Sequence, residues 1–271
     1  MRNRKTLVKR LFVACTFVAL SGICVGEMPA NSYSNNLNDL LGLISSQVVG
    51  FLDQFSDVKC TEQVEQDKLG KDGKIERKEE STYDYLIILT STGGELGLNE
   101  SRLAVKEVRA DRKNTPMLVS NGFATLFLVF HPYYADSFKF ALAGEAVIDN
   151  RSIVKVSFEH IPGTRSPAAL ALQGKEYPLE LSGVAWIDPQ TGIITRIDAG
   201  IQNTLQDVGL KSLQSEVEFA PAPFRDMKPR YWFPAVATVE VETPRQHWRN
   251  THRFTEYKRF SVSTEEQVTS K

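Results

Sequence analysis

The chain has 271 residues with 32 basic and 33 acidic side chains, three cysteines and four histidines. Without its first 26 residues it carries 27 Lys and Arg against 33 Asp and Glu, a net charge of −6. That excludes a nucleic-acid partner, which needs a basic surface to displace phosphate counterions. The same 245 residues keep only Cys60, so no internal disulfide is available and the fold must rest on its hydrophobic core.

At the N-terminus, Arg2, Arg4, Lys5, Lys9 and Arg10 precede an apolar stretch from Leu11 to Val25, followed by Gly26 and Glu27. A basic start, a short apolar core and small residues before a polar continuation describe a secretory signal peptide over residues 1–26. The stretch is shorter than the roughly 20 residues of a bilayer span, so no stable transmembrane span is expected in the mature chain. The protein is read as exported, to the periplasm or beyond. Ile23 stands where a bacterial lipoprotein signal wants a small residue before Cys24, which disfavours lipid anchoring there.

Residues 27–36 are polar and read as a flexible leader. Leu37, Leu40, Leu41, Ile44, Val48, Phe51, Leu52 and Phe55 then recur at steps of three and four, which predicts an amphipathic helix capped by Asn36 or Asn38. Its polar face lacks the Lys and Arg of a membrane-surface helix, so it is expected to pack on a core.

After Asp57 the period changes to two. Strands are predicted over 58–68 and 75–89 around Asp72-Gly73, and over 138–148 and 152–161 around Asp149-Asn150. Asp188-Pro189-Gln190-Thr191-Gly192 joins 179–187 to 193–201; further strands fit 213–220, 235–241 and 252–262. Residues 122–130 lack alternation and read as a buried helix ended at Pro132, or else as a strand. Consecutive hairpins argue for a meander of seven to nine strands. The fold class is therefore mainly β (α+β): an N-terminal amphipathic helix packed on a curved antiparallel sheet, half-barrel or barrel-like, forming one domain over 37–262 with a disordered tail over 263–271.

Motifs that carry chemistry are absent. His131 and His160 stand alone beside prolines, where loop or sheet-edge positions are the default. His247 and His252 are five apart, a spacing that brings neither a helical nor a strand pair onto one metal. Cys60 lies in a strand pattern without a partner and reads as a packed thiol. No Gly-x-Ser-x-Gly or phosphate-cradling loop occurs, and the carboxylates between Glu62 and Glu80 fit a charged outer face. No enzyme activity, metal or cofactor is expected. Two features could bind. The aromatic positions Phe138, Phe140, Phe158, Trp186, Phe219 and Trp232 either fill a core or line a cavity for a greasy ligand. Arg245, Arg249 and Arg253, within a basic stretch reaching Arg259, are either the solvated side of a last hairpin or a strip for an anionic head group or acidic envelope protein.

The helix Leu37–Phe55 leading into Val58-Lys59-Cys60-Thr61-Glu62-Gln63, and the hairpin Gly183–Ile197 with its Trp186-Ile187-Asp188 corner, together resemble the outer-membrane lipoprotein-sorting (LolA/LolB-like) periplasmic proteins. The resemblance implies a half-barrel whose open apolar cavity holds acyl chains, without catalysis. The chain is longer than a minimal carrier of this type, and no arginine matches, residue by residue, the one such carriers use at the cavity. Taken together these readings predict an exported, non-enzymatic envelope protein that holds a lipid or other hydrophobic group, or a structural and protein-interaction module with a filled core.

Overall fold

Alternating apolar and polar side chains cannot bury one face of a strand without a second layer above it, and a helix with one apolar stripe can supply that layer. In the computed structural model of the protein, these two patterns meet. The structure describes residues 37–55, 58–92, 95–105, 122–172, 175–222 and 232–259. The expected signal peptide, leader and tail lie outside the described residues. Helix α1 spans Leu37–Phe55 and buries Leu40, Ile44, Val48, Phe51 and Leu52 at the expected spacing. Asn38 falls inside its first turn, while Asn36 lies outside the described residues. Among the described residues no helix is long and apolar enough to cross a membrane.

The strands are β1 (Val58–Leu69), β2 (Ile75–Thr92), β3 (Glu95–Ala104), β4 (Phe138–Ile148), β5 (Arg151–His160), β6 (Ala169–Leu172), β7 (Lys175–Pro178), β8 (Leu181–Ile187), β9 (Ile194–Ile201), β10 (Ser212–Pro221), β11 (Trp232–Glu242) and β12 (His247–Arg259). Ten of them form one antiparallel sheet in the order β3-β2-β1-β12-β11-β10-β9-β8-β5-β4, and β6 pairs with β7 alone. The sheet is curved and does not close, ending at β3 and β4. The first and last strands of the chain pair as its third and fourth members, β1 with β12, from Val58↔Arg259 to Leu69↔His247.

Turn chemistry sets the hairpins as the residues predict. Asp149 and Asn150 both take positive φ, 50° and 60°, the mirror-image turn that suits strand twist. At 188–192 the Asp188 carboxylate accepts from the amide of Gln190 at 2.9 Å, and the Gly192 amide closes onto the Asp188 carbonyl at 2.8 Å. A bulge at Glu256 (φ 53°) sets two β12 residues against Cys60, turning Tyr257 inward onto Phe233 at 4.9 Å between ring centres.

The main sheet has ten strands, more than the seven to nine expected, because β3 carries too little apolar alternation to be read from sequence; the separate β6–β7 pair is equally unexpected, and β12 begins at His247, five residues before the predicted start. The stretch after Gly122 is a 310 segment, Phe123–Phe130, with non-helical backbone at Thr125. It stops where His131 turns extended, and the His131 ring accepts from the Tyr133 amide at 3.1 Å to cap the short helix α2, Pro132–Ala135.

Candidate functional site

The inner face of the sheet carries two unlike regions. Over β9, β10 and β11 it is apolar and covered by α1 and the 310 segment, whose Leu126, Phe127, Leu128, Val129 and Phe130 are all buried. Phe51 of α1 meets Phe127 edge-on at 4.9 Å and Phe233 of β11 at 5.1 Å, and Phe127 reaches Phe219 of β10 at 6.4 Å. Where these layers join, Val48, Phe51, Phe127, Ile194, Phe219 and Trp232 line a cavity of about 30 Å³. That is room for about one water, against the roughly 300–1,000 Å³ of a ligand pocket. The seam is tight at its rim as well: a Cβ at Gly192 would lie 2.8 Å from the Leu43 side chain and 2.9 Å from its backbone.

Over β1, β2, β3 and β12 the same face sets an ionic network among buried apolar side chains, including Val58, Cys60, Tyr85, Ile87 and Phe254. Glu62 is wholly buried and both its oxygens are engaged. Arg102 of β3 donates to it through Nε at 2.5 Å and Nη2 at 2.9 Å, and His252 Nδ1 lies 2.8 Å from Oε1, so the imidazole proton sits on that nitrogen. Arg102 also pairs with Glu100 at 2.9 Å and stands 5.1 Å over the Tyr85 ring. The Glu100 carboxylate in turn accepts from the Gly122 amide at 2.8 Å, tying the network to the entrance of the 310 segment. Burial alone raises the Glu62 carboxyl, but the hydrogen bonds from His252 and Arg102 outweigh it and hold Glu62 below its ordinary value of 4.5. Burial and the neighbouring Glu100 raise Tyr85 well above the usual tyrosine range, and its hydroxyl has no hydrogen-bond partner among the described residues. Oε1 takes two of these hydrogen bonds and Oε2 one, all from within the fold. The arrangement clamps β1, β3 and β12 together across β2.

The predicted aromatic set divides three ways. Phe138, Phe140 and Phe158 gather around Phe130, with ring centres 5.3 Å (Phe130–Phe140), 6.1 Å (Phe130–Phe158) and 6.0 Å (Phe138–Phe158) apart. Phe219 and Trp232 line the seam cavity. Trp186 points the other way, because Ala185 and Ile187 take the inner face; Arg196 lies 4.9 Å and Lys155 5.5 Å from its ring on the outside. The three arginines do not form one strip. Arg249 is held by Asp67 at 3.2 Å, Arg253 is exposed on the outer face of β12, and Arg245 lies beyond the strand in the turn after β11.

Several polar residues stand elsewhere than their sequence context suggests. Glu62 is in the core and not on a charged outer face, because it shares its period with Val58, Cys60 and Val64. His160 is buried at the end of β5, where its Nε2 lies 2.8 Å from the Arg165 carbonyl, instead of standing in a loop or at a sheet edge. His252 likewise alternates with Trp248, Asn250 and Phe254. That period-two placement was the available signal for both cluster members. Cys60 is a buried thiol; burial pushes it up to about 12, and a hydrogen bond with Tyr257 only partly offsets this. Among the described residues no group of three or more His, Cys, Asp or Glu is placed to hold a metal ion.

The chain matches no protein-family profile and no curated protein. Its structure is similar to a DUF1329 family protein from Desulfovibrio piger, at 11% identity over 86% of this chain and 94% of that one, with a TM-score of 0.44. It is similar to a LolA superfamily protein from Nitrosomonas europaea at 10% identity over 83% of this chain and 94% of that chain, with a TM-score of 0.38. A Vibrio parahaemolyticus domain named for outer-membrane lipoprotein sorting is 11% identical over 83% of this chain and 94% of that chain, also with a TM-score of 0.38.

Proposed function

We propose that the mature chain is an exported, non-enzymatic binding protein of the cell envelope that takes a lipid or other hydrophobic group onto the inner face of its sheet as α1 parts from it. The observation that carries this reading is the seam. A helix and a 310 segment cover an open, curved apolar sheet through interlocking aromatics, with Val48, Phe51, Phe127, Ile194, Phe219 and Trp232 already around a small void. Apolar contacts have no directional demand, so an acyl chain could replace those between the layers at comparable free energy per area. The described cavity of about 30 Å³ is far below the volume of an acyl chain, so loading requires the layers to separate.

The test uses the chain from Glu27 onward, a fluorescent fatty acid and an envelope lipid extract. The probe should bind and be displaced by the extract, and lipid should copurify. Bridging Gln47→Cys to Ile193→Cys with a bis-maleimide, across the cavity both residues line, should abolish uptake; Cys60 stays out of the reaction because its thiol is held up to about 12. No copurified lipid, no probe binding, or unchanged uptake after bridging overturns the reading.

The same small void favours a second reading, a structural or protein-interaction module whose filled core needs no ligand. A pull-down from envelope extract that brings protein partners with no lipid selects it.

A further inference from the structure

At the other end of the sheet from the seam, three connections meet over a polar cleft of about 460 Å³, within the roughly 300–1,000 Å³ range of small-ligand sites. The turn between β1 and β2 supplies Lys71, the segment before β10 supplies Lys211, the end of β11 supplies Glu242, and the turn between β11 and β12 supplies Arg245. The register makes this meeting compulsory. Ile75 pairs with Leu69, Leu69 with His247, His247 with Glu242, and Glu242 with Ser212, so the three connections flank five neighbouring strands at one level.

The charges around the cleft do not cancel. Three nearby acids have a cation of their own, Asp72 with Lys74 at 2.9 Å, Glu76 with Lys68 at 3.0 Å and Glu242 with Lys211 at 3.3 Å, and a fourth, Glu240, lies 2.6 Å from Nε2 of the His247 ring. Lys71 and Arg245 have no ion pair among the described residues, and both are exposed at the cleft. The lining thus presents Lys71, Lys211 and Arg245 against Glu242 alone, on a mature chain with 27 basic and 33 acidic side chains. Two unpaired cations with a third beside them, one a guanidinium fork, suit an oxyanion with several acceptor oxygens.

We infer that this cleft is a binding site for a phosphate-bearing group, held by Lys71 and Arg245 with Lys211 in support. It uses none of the residues of the seam and stands independently of the lipid reading. The sequence strip of Arg245, Arg249 and Arg253 is replaced by a convergent set drawn from three connections, in which only Arg245 remains.

The test titrates the chain from Glu27 onward with sn-glycerol 3-phosphate at low ionic strength by calorimetry, and measures its sedimentation with phosphatidylglycerol-containing and pure phosphatidylcholine vesicles. The variants are Lys71→Ala/Arg245→Ala and, as an equal charge change elsewhere, Arg253→Ala/Lys258→Ala. Lost charge-assisted hydrogen bonds should weaken binding about tenfold or more in the first pair and leave the second within about twofold. Binding of the soluble phosphate identifies a free phosphate ester as sufficient; binding only to the anionic vesicles, with the same loss in the first pair, identifies a lipid head group. No binding in either arm, or equal weakening by both pairs of substitutions, overturns the site.

Discussion

The two regions of the inner face share one apolar core but differ in what fixes their geometry. Beneath α1 and the 310 segment, Phe51, Phe127, Phe219 and Phe233 touch through ring edges, and many arrangements of such surfaces have similar energy. Across β1, β3 and β12, Glu62, Arg102 and His252 have one good arrangement, and any other leaves a charge buried without a partner. Contacts of the first kind can be exchanged for other apolar contacts, whereas those of the second kind cannot be broken without leaving a buried charge short of a partner.

Removing Glu62 breaks the comparison most severely. Glu62→Ala takes away the carboxylate that His252 and Arg102 share in the interior, leaving Arg102 its pairing with Glu100, and should cost about 3–5 kcal/mol in urea unfolding. The pH dependence follows from the same pair. Folding lowers the Glu62 carboxyl, so the unfolded chain takes up its proton first on acidification. Its contribution is complete above the ordinary value of 4.5 and is lost as the pH falls through the lower folded value. Glu62→Gln should therefore flatten the stability profile in that acid window; an unchanged profile would show that Glu62 does not carry it.

Phe127→Ala enlarges the void between the layers. It should cost about 3–4 kcal/mol, and in contrast to Glu62→Ala it should raise the uptake of a fluorescent fatty acid by the folded protein. Gly192→Ala presses a methyl group against the Leu43 backbone at a position with φ of 72°, and should cost about 1–3 kcal/mol while increasing the binding of a dye that reports exposed apolar surface. Tyr85→Phe removes a buried hydroxyl that has no hydrogen-bond partner among the described residues, so thermal unfolding should move by the equivalent of about 0.5 kcal/mol or less. A large loss there would place Tyr85 inside the clamp and not beside it.

Much of the scaffold was legible because it rests on local rules. The stripe from Leu40 to Leu52 specifies a buried helix face, Asp149-Asn150 a tight hairpin, and the run from Phe123 to Phe130 a segment that can only be buried. β3 escaped because its inner-face positions Glu100 and Arg102 are charged, and period-two reading looks for apolar residues there. Trp186 was placed with the core aromatics because alternation is relative: only the burial of Ala185 and Ile187 reveals which set faces inward.

Read alone, the chain specifies a helix, a meander and their apolar faces, since these follow from propensity and period within a few residues of each position. Which charges become partners was decided by register across the sheet. Glu62 and His252 are 190 residues apart, and Lys71, Lys211 and Arg245 come from three separate connections. Pairing β1 with β12 brings the ends of the fold together, and that long-range contact turns scattered ionic residues into a clamp on the inner face and a cationic cleft at the rim.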